Sequence, residues 1–406
     1  MRLAREATAA AQAGDNGDYL AKMEQAVALR PDFPRMQVNL AAAQLAAGRP
    51  AAALATLEQL AKLGLNSPVE KSPDFAALRG RKDFEAVVKK LAANAHPRGD
   101  GEIVFSLREV TGLIEGIAWR AKTGEFYFGD VNARAVWVRG KDEILRRLTP
   151  EGDELFGVFG LVIDEERGAL WAATSAVDAM RGFTPDMDGT AALAEIDLAS
   201  GAVRRVLPVV RRPGDRQSHV LGDLALGDDG TVWITDSGGP TLWRLAPGGA
   251  ALEPWVESDE FLSLQGIALL GGVAVVSDYA SGLLRVDLAA RTVQRLAPPP
   301  DTSLIGIDGL ALTPEGHVLA IQNGLRPNRV LRIELDGAAE AVTAVKVLES
   351  GHITMASPSL GCIGPGGDFY YIGNAGWSRF ENTDAKPTAP RLVPIFRTKL
   401  PKPRKP

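Results

Sequence analysis

IDGLALTPEGHVLAIQNGLRPNRVLRIEL, residues 307–335, reads as three short strands: GLAL, then HVLAIQ across a TPEG turn, then RVLRIEL across a polar loop. The apolar runs are brief, partly β-branched and bounded by Gly, Pro and Asn, the punctuation of strands rather than helices. The phrase recurs along the chain. Gly116-Ile117-Ala118 precedes a KTG turn and EFYFGD, and Asp223-Leu224-Ala225 precedes a DDG turn and TVWITD. Gly266-Ile267-Ala268 leads to VAVVSD and then GLLRVDL.

With Gly116, Gly160, Asp223, Gly266, Gly309 and Gly361 as the strand starts, the spacings are 44, 63, 43, 43 and 52 residues. Units of about 40–50 residues with several strands each mark a β-propeller. Six starts predict six blades. The last unit, DFYYIGN followed by RLVPIFRTKL, is one strand short. Glu102–Leu107 (EIVFSL) is expected to supply that strand and close the ring, because closure removes exposed sheet edges. The long second spacing carries a surplus loop, Ala176–Thr190, which is either a lid that lays Met180, Phe183 and Met187 over a ligand or a decoration without function. Loops of this length inside compact domains usually serve function.

Ahead of the ring the period changes. Residues 4–94 read as helical, with apolar residues at helical spacing in YLAKMEQAVAL (19–29) and LATLEQLAKL (54–63). Met23-Glu24-Gln25 returns as Leu57-Glu58-Gln59, 34 residues later, with Pro31 and Gly48 as punctuation. An offset of 34 with helix–turn–helix spacing resembles the tetratricopeptide repeat. A weaker third element spans residues 75–93. So few hairpins cannot bury a core alone and are expected to rest on the neighbouring domain. The expected fold is therefore mainly β with an α-helical N-terminal domain. Its parts are tetratricopeptide-like hairpins over 1–96, a linker at 97–101, a six-bladed propeller over 102–400 and a basic tail at 401–406.

Composition narrows the function. The 406 residues carry 45 basic and 50 acidic side chains, a net charge of −5, with no basic run beyond the tail, so nucleic acid is not an expected partner. One cysteine, Cys362, excludes an internal disulfide framework and any multi-cysteine metal site. The longest apolar run, residues 266–276, is too short to span a bilayer. Residues 1–14 lack a signal-peptide core, so the chain as written is expected in the cytoplasm, or in the periplasm or medium if a leader precedes it. No HExxH, GxSxG, P-loop or dinucleotide fingerprint is present.

Antiparallel blades sort the candidates by face. The residue just before each innermost strand start and the end of each second strand lie at the same mouth of the channel. The first set is Glu115, Phe159, Gly222, Gln265, Asp308 and Leu360; the second is Asp130, Thr174, Asp236, Asp278, Gln322 and Asn374. His219 and His352 precede innermost strands and join the mouth, whereas His317 falls on the far side and His96 in the linker. The carboxylates at the second-strand ends also suit a structural task, tying down the following loops through backbone N–H groups.

The fragments IEGIAW, LQGIAL and the 307–335 stretch resemble the senescence-marker-protein/gluconolactonase family of six-bladed propellers. The resemblance covers roughly residues 102–400. It implies one divalent metal held by Glu115, by Asp308 and by the residue at a family Asn position that is Gln265 here. It also implies a substrate-holding Asn–Asp pair, of which Asp223 is retained and Gly222 is not. Oxygen ligands suit a hard cation, with Ca²⁺ first and Zn²⁺, Mn²⁺ or Mg²⁺ as alternatives. Asp308 at the edge of such a site is the expected base. Asp223, His219, His352, Asp278, Asp236 and Phe183 are the expected substrate contacts. Two functions follow. One is a metal-dependent hydrolase of a small lactone or ester; the other is a non-catalytic propeller whose helical repeats bind a peptide or protein.

Overall fold

The computed structural model describes residues 2–110, 112–152, 154–210, 218–380 and 389–401. Residues 402–406 of the expected basic tail lie outside the described residues. The chain forms two compact units, one taking in Met1–Pro97, Pro298–Ile305 and Leu325–Pro327, the other Arg98–Ala297, Gly306–Gly324 and Asn328–Pro406.

The first unit holds α-helices Arg2–Gln12, Asn16–Leu29, Pro34–Ala46, Pro50–Lys62 and Lys82–Ala93, each packed on the next. Local chemistry sets their ends. The Asp15 carboxylate accepts the Asp18 N–H, and Pro34 and Pro50 sit in first turns, where a missing N–H costs nothing. Gly48, at φ +75°, turns the chain between two helices. Met23 and Leu57 are both buried while Glu24, Gln25, Glu58 and Gln59 are exposed, so the 34-residue echo in sequence is an echo in burial. The weaker third hairpin expected over residues 75–93 is a 3₁₀ segment (Pro73–Leu78) and a helix (Lys82–Ala93), with Gly80 at φ +81° between them. Leu57, Leu60, Phe75, Leu78, Phe84 and Leu91 make the core.

The second unit is a ring of six four-stranded antiparallel sheets. Their innermost strands are Ile114–Arg120, Gly157–Asp164, Leu221–Leu226, Leu264–Leu270, Ile307–Leu312 and Gly361–Ile363. Five blades follow chain order. In the sixth, Glu102–Val110 pairs with Arg391–Thr398 as the outermost strand, from Glu102 opposite Arg397 to Val110 opposite Arg391, with register shifts after Ile103 and Leu107. Adjacent sheets share apolar layers, as where Trp171, Leu193 and Leu207 meet Leu224, Ile234 and Trp243.

The repeated glycine has a steric cause. A Cβ on Gly116 would lie 2.0 Å from the Phe159 carbonyl oxygen, and one on Gly266 2.4 Å from Leu310 N. Neighbouring innermost strands approach so closely that only hydrogen fits between them. Beside each contact the pairing slips: the ladder between innermost and second strand jumps from Ile114 to Gly116, Leu221 to Leu224, Leu264 to Ile267 and Ile307 to Leu310. Such bulges leave residues unpaired and re-aim their side chains. The skipped residues are Glu115, Gly222-Asp223, Gln265-Gly266 and Asp308-Gly309.

Candidate active site

The bulges are braced from the neighbouring blade. Ser277 Oγ donates to the Asp308 carbonyl at 2.8 Å, Ser359 Oγ to the Glu115 carbonyl at 3.0 Å, and Thr235 Oγ1 to the Gln265 carbonyl. Each hydroxyl satisfies a carbonyl that the slipped ladder leaves over, and in doing so fixes the side chain on the same residue.

Glu115, Asp223 and Asp308 are brought together by this arrangement. Glu115 is 6 % exposed and Asp223 8 %. Burial, then the charges of Asp308 and Asp223, push Glu115 well above the ordinary carboxylate range, against a hydrogen bond from Trp377 Nε1 to Oε2 at 2.9 Å. Asp223 is pushed up to about 8, chiefly by burial and further by Asp308, despite backbone N–H groups of Leu224 and Ile267. Burial raises Asp308 to about 6, opposed by Asn323, whose Nδ2 donates to Oδ2 at 2.6 Å. Asn323 is itself held, donating to the Pro358 carbonyl at 2.8 Å and accepting from Tyr279 Oη at 2.9 Å.

Gln265 is tethered by Nε2 to Ser263 Oγ at 3.1 Å, with its Oε1 turned toward Gly222, where a Cβ would stand 3.8 Å away. Asp223 occupies the position that is glycine in the neighbouring blades. Its Oδ1 would lie 2.7 Å from a Cβ on Gly160, so its side chain is accommodated by that glycine.

The other expected contacts sit differently. Asp236 is fully buried and accepts from the N–H groups of Val220, Gly238 and Gly239, from Trp243 Nε1 and from His219 Nδ1 at 2.6 Å. Burial favours its proton, but those donors hold its carboxyl below the usual range. Asp278 accepts from Leu262, Ser263, Ala280 and Ser281 N–H groups, and Asp130 from Leu113 N, Ala133 N and Trp137 Nε1. These three carboxylates spend their acceptor capacity on the loops around them. His352 packs edge-on against Phe396, in the third strand of the last blade, with Nε2 4.0 Å from the buried Glu349 carboxylate, away from the innermost strands. Phe183 is half-buried in the surplus loop, which is anchored by Asn132 Nδ2 on the Ala179 carbonyl at 2.7 Å. That loop sends Ala179 into an apolar cluster with Leu113, Val131, Phe159 and Phe380, flanked by Trp377.

Two site residues, Trp377 and Asn323, escape the sequence reading. Both lie one to a few residues beyond a second-strand end, so the same face rule extended into the following loops would have found them. Among the described residues no group of three or more His, Cys, Asp and Glu side chains is arranged to hold a metal, and no helix is long and apolar enough to cross a membrane.

The sequence matches no protein-family model and no curated protein. Among solved structures the chain is similar to a glucose dehydrogenase at 13% identity, with 74% of this chain and 100% of that one covered and a TM-score of 0.53. It is also similar to a luciferin-regenerating enzyme at 15% identity, covering 75% and 96%, with a TM-score of 0.50. A gluconolactonase from Xanthomonas campestris aligns at 17% identity over 75% and 93%, with a TM-score of 0.49. At such identities the likeness shows the fold alone: a six-bladed propeller.

Proposed function

We propose that the chain is a propeller enzyme of the hydrolase type that opens a small lactone or ester at the channel mouth. One observation carries this reading. Bulged strands hold Glu115, Asp223 and Asp308 in one desolvated place, where the charge on Asp308 raises the proton affinity of the other two. A packed core has no use for such a cluster, whereas acid–base chemistry does.

Glu115, Asp308 and the Gln265 Oε1 that faces Gly222 would hold a divalent cation, since these donors are all oxygen. Ca²⁺ suits it first, then Zn²⁺, Mn²⁺ or Mg²⁺. When bound, such an ion would polarise the substrate carbonyl. The protein's own groups do the rest. Asp308, with Oδ2 fixed by Asn323, takes a proton from the attacking water as its oxygen bonds to the carbonyl carbon. The ring C–O bond then breaks, and the departing alkoxide recovers the proton. Asp223, which keeps its own proton at neutral pH, donates a hydrogen bond to the substrate's ester oxygen.

The test is a pH-stat screen of lactones with purified protein, with and without Ca²⁺, beside metal analysis. Asp308→Asn should lower kcat by about 10²–10⁴, the range of one general base. Because Asp308 must be ionised, and a bound cation favours its charged form, wild-type activity should fall only at acid pH. An Asp308→Asn protein with wild-type kcat would overturn the assignment. Gln265→Asn, which restores the family residue, should hold or improve cation affinity.

A second reading belongs to the helical unit. The matched burial of Met23 and Leu57 across 34 residues supports tetratricopeptide-like hairpins that take a peptide or protein. Crosslinking of the intact chain to a defined partner that leaves lactone hydrolysis unchanged would support it.

A further inference from the structure

We infer that the substrate is an amphiphilic lactone or ester bearing an alkyl or aryl substituent, not a polyhydroxylated sugar lactone; this rests on the hydrolase reading above. The six innermost strands present equivalent residues to the mouth, and these divide by chemistry. Blades four and five contribute Gln265 and Asp308 at this position, and blade three has Gly222 there with Asp223 one residue later. Blades two and six contribute Phe159 and Leu360, on either side of Glu115 in blade one.

Phe159 and Leu360 are 6 % and 7 % exposed. The Phe159 ring lies 6.2 Å from that of Trp377, whose indole N–H is already committed to Glu115. Behind Phe159 stand Leu113, Val131 and Phe380.

On this side the Asn132 amide is committed to the Ala179 carbonyl. A sugar lactone bears hydroxyls around its ring, and those turned toward the Phe159–Leu360 side would lose water without gaining partners. An alkyl or aryl substituent gains there by burial. The ester group itself is matched by the opposite half of the mouth, where Gly222 leaves room beside Gln265.

The experiment compares two six-membered lactones, δ-decalactone and glucono-δ-lactone, by pH-stat with the full-length protein in CaCl₂, after subtraction of spontaneous opening. The expected kcat/KM is at least tenfold higher for δ-decalactone. Leu360→Asn and Phe159→Asn should each cut that preference at least fivefold, mainly through KM for δ-decalactone, in proteins whose melting curves match wild type. The wild-type comparison needs no variant to fold. Equal or better opening of glucono-δ-lactone overturns this inference and leaves the hydrolase reading standing. If neither lactone opens, the hydrolase reading falls, and calorimetric binding decides the inference. Saturable binding of δ-decalactone, weakened by Leu360→Asn, upholds an amphiphile site. No binding, or tighter binding of glucono-δ-lactone, overturns it.

Discussion

Asp223 shows what burying a single carboxyl costs. Its ordinary value of 3.8 is raised to about 8 in the fold, mainly by burial. The folded protein therefore binds this proton more tightly than the unfolded chain does. The stability tied to it is fully present below pH 3.8 and is lost progressively as pH rises to about 8. Asparagine at this position has no proton to lose. Asp223→Asn should melt close to wild type near pH 4 and several degrees higher at pH 9, with the gap opening steadily between. Calorimetry across that range checks it; parallel melting curves would show that Asp223 ionises freely in the fold. Activity should be largely kept in Asp223→Asn, whose amide N–H can still donate to the ester oxygen, and fall in Asp223→Leu, which has no donor.

At the scale of the element, the bulged innermost strand explains both what the sequence disclosed and what it hid. The fold was legible because the steric demand at the ring's centre forces a glycine into the same phrase again and again, as at Gly116, Gly266 and Gly309. The polar residues beside those glycines were legible for the same reason, since Glu115, Gln265 and Asp308 share one register position. Asp223 was harder to interpret, because it stands one residue later, where a glycine is expected. Trp377 and Asn323 were missed because they lie in the loops just beyond second-strand ends, one step past the positions the face rule takes in. Asp236 was legible: a carboxylate at a second-strand end suits tying down the following loop, and the Gly238 and Gly239 N–H groups do bind it. Glycine's role at the bulge can be measured. Gly266→Ala would put a Cβ 2.4 Å from Leu310 N and 2.6 Å from the Asp308 carbonyl, whereas a Cβ on Gly272 would meet nothing within 4 Å. Backbone cannot retreat as a side chain can, so Gly266→Ala should cost about 3 kcal/mol or more and disturb Asp308 directly. Gly272→Ala should be near neutral. Equal melting temperatures for the two variants would refute the close-approach account.

For the whole molecule, the decisive feature is how the ring closes. Arg391–Thr398 would be a sheet edge at the end of the chain were it not covered by Glu102–Val110, recruited from nearly 300 residues earlier. The chain leading into that strand is pinned as well. Arg98 and Ser350 exchange backbone hydrogen bonds, and Gly99 and Gly101 lie where any Cβ would strike the Glu349 side chain. Closure thus depends on residues 98–110, a part of the sequence that looks like a linker followed by an unremarkable strand. An unpaired edge templates association with other chains. A protein beginning at residue 98 keeps the strand and should be monomeric with one cooperative melting transition. A protein beginning at residue 112 exposes the 391–398 edge and should aggregate or melt broadly, and adding the peptide of residues 98–111 in trans should restore solubility. Light scattering and calorimetry on the two truncations decide the matter. If the shorter one is as soluble and as cooperative as the longer, the ring does not need its borrowed strand, and its stability must come from the apolar layers between blades alone.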